Sequence, residues 1–323
     1  MRDTGEFIAD AYALGAGEWT MTPVARGALG QIWKLSGNGT AWAVKELLFE
    51  RHEPDVGAES ALRDAAETQG VAAPRLMPDR TGAHVVRLPE GTYAKLYDWV
   101  DGTTADPSDP ETLRWCGRTL ALLHRAGEGA TGTPSAWYEE CHQPSDWAEL
   151  TGRAARAGLP WAAELERFAA TTVVRLGRHV SPSAAADVVT SHLDMRPQNV
   201  LVGARGPVLL DWDNAGPVSA ERELARAVHV WSGGNGFDAD AARHLVRAYR
   251  DAGGPAVVKS PDAFSMLFAT YLNYVHVQAA CAVDPEVQAD RREFASAEVV
   301  DLLRNRPDLE AVSRLTETVA AEW

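Results

Sequence analysis

Between Ser191 and Pro217 the chain reads SHLDMRPQNVLVGARGPVLLDWDNAGP, and no other stretch limits so sharply what the molecule can fold into. Two short runs of β-branched residues and leucine, Val200 to Val202 and Val208 to Leu210, flank a Gly-Ala-Arg-Gly-Pro turn, which is the pattern of a hairpin. In an antiparallel hairpin the residue entering the first strand lies beside the residue leaving the second, so Asn199 and Asp211 are expected at one end. An oxygen from each side chain makes a seat for Mg2+. This hard cation takes oxygen ligands and binds through few protein groups plus substrate phosphates. Asp194, just upstream, is then expected to face the hydroxyl that accepts the phosphoryl group.

Such a site needs a phosphate-holding element upstream. Arg26 to Glu46, RGALGQIWKLSGNGTAWAVKE, reads as a strand, a Gly-Asn-Gly turn and a second strand that delivers Lys45. Gly27 and Gly30 bracket a loop short of bulky side chains, which lets backbone N–H groups approach an anion, although no G-K-[ST] makes it a Walker loop. Lys45 stands out because it is one of only four lysines beside twenty-seven arginines, inside Ala-Val-Lys at a strand end. From Pro54 to near Gly70 a helical stretch places Val56, Glu59, Leu62 and Ala66 along one face. Glu59 thus points inward among apolar neighbours, where an unpaired carboxylate is costly, and Lys45 is its expected partner. The bland alternative is a carboxylate that only complements the helix N-terminus.

His192, Asp194, Asn199, Asp211 and Asp213 together resemble the aminoglycoside phosphotransferase family of the protein-kinase-like superfamily, in which H-G-D-x-x-x-x-N precedes a hairpin and a D-W-D type sequence. Leu193 departs from the usual glycine, and Glu223 of ERELA from the usual aspartate. The resemblance implies an α+β, two-lobed protein-kinase-like fold. Residues 1–101 would form the nucleotide-binding lobe, an antiparallel sheet with one helix, followed by a hinge; residues 102–323 would form a mostly helical lobe with the catalytic loop and acceptor site. It also implies transfer of the γ-phosphoryl group of ATP, with GTP as an alternative donor, to a hydroxyl of a small molecule. Asp194 would orient that hydroxyl and take its proton, Asn199 and Asp211 would hold Mg2+, Lys45 the α and β phosphates, and Glu59 would position the lysine. Gly27 and Gly30 would lie at the phosphates, and the backbone C=O of Asp98 and N–H of Val100 at the adenine edge.

An aminoglycoside or another antibiotic is the acceptor that the resemblance favours. Metabolic kinases of the choline, methylthioribose or homoserine type share the architecture, and a non-catalytic pseudokinase that binds a ligand is the reading from a different class. A protein kinase is disfavoured, because few residues separate Asp213 from the helix expected at Ala220 and no A-P-E follows.

Charge and composition agree with this reading without naming it. A net charge of −14 argues against binding nucleic acid through its phosphates and favours a cationic acceptor. No apolar run reaches the roughly 18 to 20 residues of a spanning helix, and the start of the chain lacks a basic, then apolar, leader, so neither membrane nor secretion is expected. Cys116, Cys141 and Cys281 form no C-x-x-C pair, which suits a reducing cytoplasm. Monomer and homodimer both stay open. Helices are expected over Thr112–His124, Ala220–Trp231, Asp238–Arg250, Pro261–Cys281 and Glu293–Leu303, with His124 packing and His192 bracing the loop rather than reacting. Trp137, Tyr138, Trp147 and Trp161 read either as core or as the lining of an acceptor pocket.

Overall fold

Three strands in succession begin the sheet: β1 (Thr20–Gly27), β2 (Gly30–Gly37) and β3 (Thr40–Leu47), each antiparallel to the next. Between β2 and β3 the chain turns at Asn38 and Gly39, whose φ values of 51° and 72° are those of the two-residue turn that matches strand twist. The computed structural model describes residues 4–27, 30–47 and 51–323, so Ala28 and Leu29, which the sequence pattern puts in the glycine-bracketed loop, lie outside the described residues. The chain divides into two compact units, Met1–Asp106 with Ser191–Gly216, and Pro107–Thr190 with Pro217–Trp323.

In the first unit β3 is followed by helix α2 (Glu53–Thr68) and by the short strands β4 (Leu76–Met77) and β5 (Val86–Arg87), both paired with β6 (Tyr93–Asp98). The sheet order is β1-β2-β3-β6-β4, with β3 and β6 antiparallel. One sheet face packs on the N-terminal helix α1 (Thr4–Ala11) through Ile8, Ala9, Tyr12, Trp19, Leu35, Val44 and Leu96, the core of this unit. On α2 the expected inward face is observed: Val56, Glu59, Leu62 and Ala66 are all buried. Beyond β6 the chain crosses to a second, three-stranded sheet, in which β7 (Thr103–Thr104) pairs with the first strand of the hairpin Val200–Gly203/Gly206–Leu209.

The second unit is mostly helical, from α3 (Pro110–Ala126) through α4 (Ala136–Glu139), α5 (Pro144–Arg156), α6 (Ala162–Phe168), α7 (Val174–Gly177), α8 (Ala220–Trp231), α9 (Ala239–Asp251), α10 (Ser265–Val283) and α11 (Ala289–Arg304) to α12 (Leu309–Ala320). Each helix expected from periodicity is present to within a few residues of its ends. Asp109 starts α3 by accepting from the N–H groups of Glu111 and Thr112, and Asp238 starts α9 in the same way with Asp240 and Ala241. The departure at Glu223 has a structural use. Its carboxylate lies 2.8 Å from His124 Nε2, His124 Nδ1 lies 2.7 Å from the Tyr249 hydroxyl, and that hydroxyl accepts from Ala256 N–H at 3.1 Å. Three helices, α3, α8 and α9, are thereby tied through one buried polar chain, and His124 is a packing histidine as expected. Trp147 and Trp161 are also core, at 2% and 3% exposure.

Helices α3 and α9 come close because Gly117 has no side chain: a Cβ there would lie 2.1 Å from the carbonyl oxygen of Leu245. Gly57 in α2 has nothing within 4 Å of its Cβ position. The same exchange should therefore have opposite signs at the two sites. Gly57→Ala should stabilise the protein by up to about 1 kcal/mol through helix propensity. Gly117→Ala should destabilise it by about 1–3 kcal/mol through overpacking. Urea unfolding of the two variants measures both.

Candidate active site

The hairpin register pairs Leu209 with Val200, and one step further the Leu210 N–H donates to the Asn199 carbonyl at 2.8 Å. Asn199 and the residue preceding Asp211 are therefore neighbours at the open end, as the antiparallel geometry predicts. The loop leading in is fixed by His192. The Asp194 N–H donates to His192 Nδ1 at 3.2 Å, so the ring proton is on Nε2, which donates to the Leu210 carbonyl at 2.9 Å. His192 is buried and braces the loop against the second hairpin strand.

Leu193 has φ +64°, the left-handed region, which explains why glycine suits this position. A leucine there costs about 1–2 kcal/mol in backbone strain. Burial of its side chain, only 2% exposed, offsets that by about 1.5–3 kcal/mol. Asp211 is also left-handed, at φ +59°. Two non-glycine residues in this conformation thus bracket the loop and hairpin, the kind of local strain that gathers at functional sites.

Asp194 is 7% exposed and held on several sides. Asn199 Nδ2 donates to its backbone oxygen at 2.9 Å and to its Oδ2 at 2.8 Å, and Arg196 Nε lies 3.3 Å from the same Oδ2. With its amide nitrogen used in this way, Asn199 has its Oδ1 as the atom to offer a cation.

A row of alternating charges continues from Asp211. Lys45 Nζ is 2.6 Å from Asp211 Oδ1 and 2.7 Å from Asp213 Oδ2. Lys95 Nζ is 2.8 Å from Asp213 Oδ1 and 2.7 Å from Glu59 Oε2. Arg51 pairs with Glu59 Oε1 and also donates to the backbone oxygen of Asp213 at 2.9 Å. Burial alone would push the Lys45 ammonium down, but Asp213 and Asp211 outweigh it and hold the group well above the ordinary lysine range. For Asp213, burial alone would raise the carboxyl, and Lys45 and Lys95 together hold it well below the usual range. At Glu59 burial prevails over the attraction of Lys95 and lifts the carboxyl above its ordinary value, with Asp213 adding to the rise.

Lys45, Glu59, Asp194, Asn199 and Asp211 all lie in the first unit. The expected pairing of Glu59 with Lys45 is not what the structure has. Lys95 and Arg51 hold Glu59, and Lys45 turns to the two aspartates, because the buried ammonium of Lys95 stands between them. Gly27 ends β1 and Gly30 begins β2, paired with each other. A Cβ on Gly30 would lie 1.9 Å from the Glu46 carbonyl oxygen, so close strand packing already demands a glycine there. Asp98 ends β6 and its carboxylate takes Arg75 Nε at 2.8 Å and Nη2 at 3.1 Å. Val100 follows in the crossing segment between the two sheets, where Gly102 passes so near the hairpin that a Cβ would meet the Val202 carbonyl oxygen at 2.9 Å. Lys95 and Arg51 are site residues that reading the sequence missed. A lysine within the apolar strand Tyr-Ala-Lys-Leu-Tyr was the available signal for the first.

The sequence model of the phosphotransferase enzyme family matches residues 20–261. No curated protein matches the chain in sequence. Among solved structures, the chain is similar to spectinomycin phosphotransferase in complex with ADP and spectinomycin, at TM-score 0.67 and 14% identity over 97% of each chain. It is also similar to amicoumacin kinase in complex with AMP-PNP and Ca2+, at 0.60 and 13% over 95% of this chain and 96% of that one. A microcompartment-associated aminopropanol kinase matches at 0.55 and 16%, over 88% of this chain and 90% of the other. These likenesses establish the protein-kinase-like fold. With the family model spanning most of the chain, from β1 past the loop and hairpin, the protein belongs to the phosphotransferase enzyme family.

Proposed function

We propose that this protein is a kinase of a small molecule, moving the γ-phosphoryl group of ATP to a hydroxyl of an acceptor that also carries an amine. The observation that carries the reading is the convergence within one compact unit of Lys45 on Asp211, at 2.6 Å, and of Asn199 on Asp194, at 2.8 Å. Residues 1–101 serve as the nucleotide-binding lobe and the remainder supplies the catalytic loop and the acceptor site. Asp194 orients the acceptor hydroxyl and takes its proton. Asn199 and Arg196 hold its carboxylate in place, and such positioning outweighs base strength because the transition state of phosphoryl transfer is loose.

The donor set fits Mg2+: one carboxylate, one carboxamide oxygen and the phosphates of the nucleotide. Asp211 is the more open of the two aspartates, its side chain 34% exposed against 9% for Asp213, so Asp211 with Asn199 is the pair to hold the cation. When bound, Mg2+ would neutralise phosphate charge. Lys45 grips the α and β phosphates, Gly27 and Gly30 flank them, and the backbone of Asp98 and Val100 meets the base. GTP remains an alternative donor.

The amine on the acceptor is supported by the acidic chain, −14 overall, and by the names of the proteins that share the fold, which include a spectinomycin phosphotransferase and an aminopropanol kinase. An antibiotic acceptor and a metabolic amino alcohol are both of this class, and a cytoplasmic setting suits either.

Two variants test the roles. Asp194→Asn should lower ADP release by about 100- to 10,000-fold while AMP-PNP affinity, measured by calorimetry, changes less than about threefold. Near-normal turnover would remove Asp194 from the mechanism. Wild-type affinity for the nucleotide should fall when EDTA replaces Mg2+, and in Asp211→Ala this difference should vanish. An unaltered metal dependence in that variant would refute the assignment of Asp211.

A further inference from the structure

We infer that Lys95 is a positioning residue: it fixes Asp213, and through Asp213 the ammonium of Lys45. What Lys45 does once fixed rests on the phosphotransfer reading; the arrangement itself does not. The β3/β6 register sets Lys45 directly opposite Lys95, and two like charges so placed repel. One carboxylate resolves the conflict, since Asp213 gives Oδ2 to Lys45 and Oδ1 to Lys95. Lys95 is fully buried between Ala94 and Leu96, at 0% exposure for all three, a place where an apolar side chain would ordinarily stand. An ammonium is tolerated there because Glu59 and Asp213 both accept from it. Without Lys95, Asp213 would have one ammonium partner instead of two and would be free to turn. Glu59 and Asp213 would then face each other as buried like charges. Lys95 thus takes the carboxylate of α2 from Lys45, and leaves Lys45 oriented by the pair of aspartates beyond the hairpin.

The competing role is neutralisation of Glu59 alone, and a double variant separates the two. Lys95→Met with Glu59→Leu removes that ion pair without changing the net charge, so a neutralising role would be restored. A positioning role would not be. Two readouts apply, beside a thermal melt to verify folding. The first is acetylation of Lys45 by acetic anhydride, followed by peptide mass spectrometry with the exposed Lys259 as reference; the chain has four lysines, so the map is unambiguous. Lys45 should label about tenfold faster relative to Lys259 in the double variant, its carboxylate hold having loosened. The second is ADP release from Mg·ATP, in which kcat should fall about 10- to 100-fold with KM for ATP raised less. Lys95→Arg, which keeps both ion pairs, should recover wild-type labelling and bring kcat to within about tenfold of wild type. Wild-type labelling and kcat in the double variant would overturn the inference, as would Lys95→Arg behaving no better than Lys95→Met. If Lys45 labelling rises as expected while wild-type protein releases no ADP and binds no Mg·AMP-PNP, the phosphotransfer reading fails and the arrangement stands.

Discussion

The row Asp211, Lys45, Asp213, Lys95, Glu59, Arg51 is the interaction on which the first unit depends. Each charge in it lies between two of opposite sign, or at an end beside one. In a poorly solvated interior a single unpaired member would cost several kcal/mol, about 3–5 when one partner of a buried pair is removed. Four separately encoded segments are joined by it: strand β3, helix α2 with Arg51 just before it, strand β6, and Asp211 with the turn Trp212–Asn214 after the hairpin. Asp211 at one end and Arg51 at the other are each about a third exposed, and the ammonium of Lys95 between them is fully buried, so the row has two solvent-reachable ends and a structural middle.

That arrangement links structure to the proposed chemistry. A phosphotransferase needs a lysine held in place yet able to meet phosphates, and a carboxylate that can take a metal ion. In the proposed reading Lys45 and Asp211 supply both from one open end, while Asp213, Lys95 and Glu59 hold that end in register. The loop before the hairpin adds a second preset element. His192 locks it to Leu210, Leu193 and Asp211 take left-handed backbone, and Asn199 aims Asp194. Strain of this sort persists where surrounding contacts over-determine the backbone.

Much of this was legible in the residues. The hairpin could be read because turn chemistry and two short apolar runs are local signals, and the burial of Glu59 because helical periodicity is local too. The partner of Glu59 could not. Which lysine faces it depends on the register between β3 and β6, strands about fifty residues apart, and on how far a side chain reaches across the pair. Lys95 also hides in a strand where Ala94, Lys95 and Leu96 are buried in succession, so alternation gives no clue to its direction. Glu223 shows the same limit: spacing marks it as a departure, but only the packing of α3 against α8 shows that it reaches His124. Gly30 teaches a further caution, since the residue that suits a phosphate loop is also the one that tight strand pairing requires.

A crystal structure of the complex with Mg2+ and AMP-PNP tests the central claim most directly. The account predicts oxygens of Asp211 and Asn199 about 2.0–2.1 Å from the cation, with Lys45 on the phosphates and Lys95 still on Glu59 and Asp213. Phosphates bound away from Lys45, or a cation held without Asp211, would contradict it.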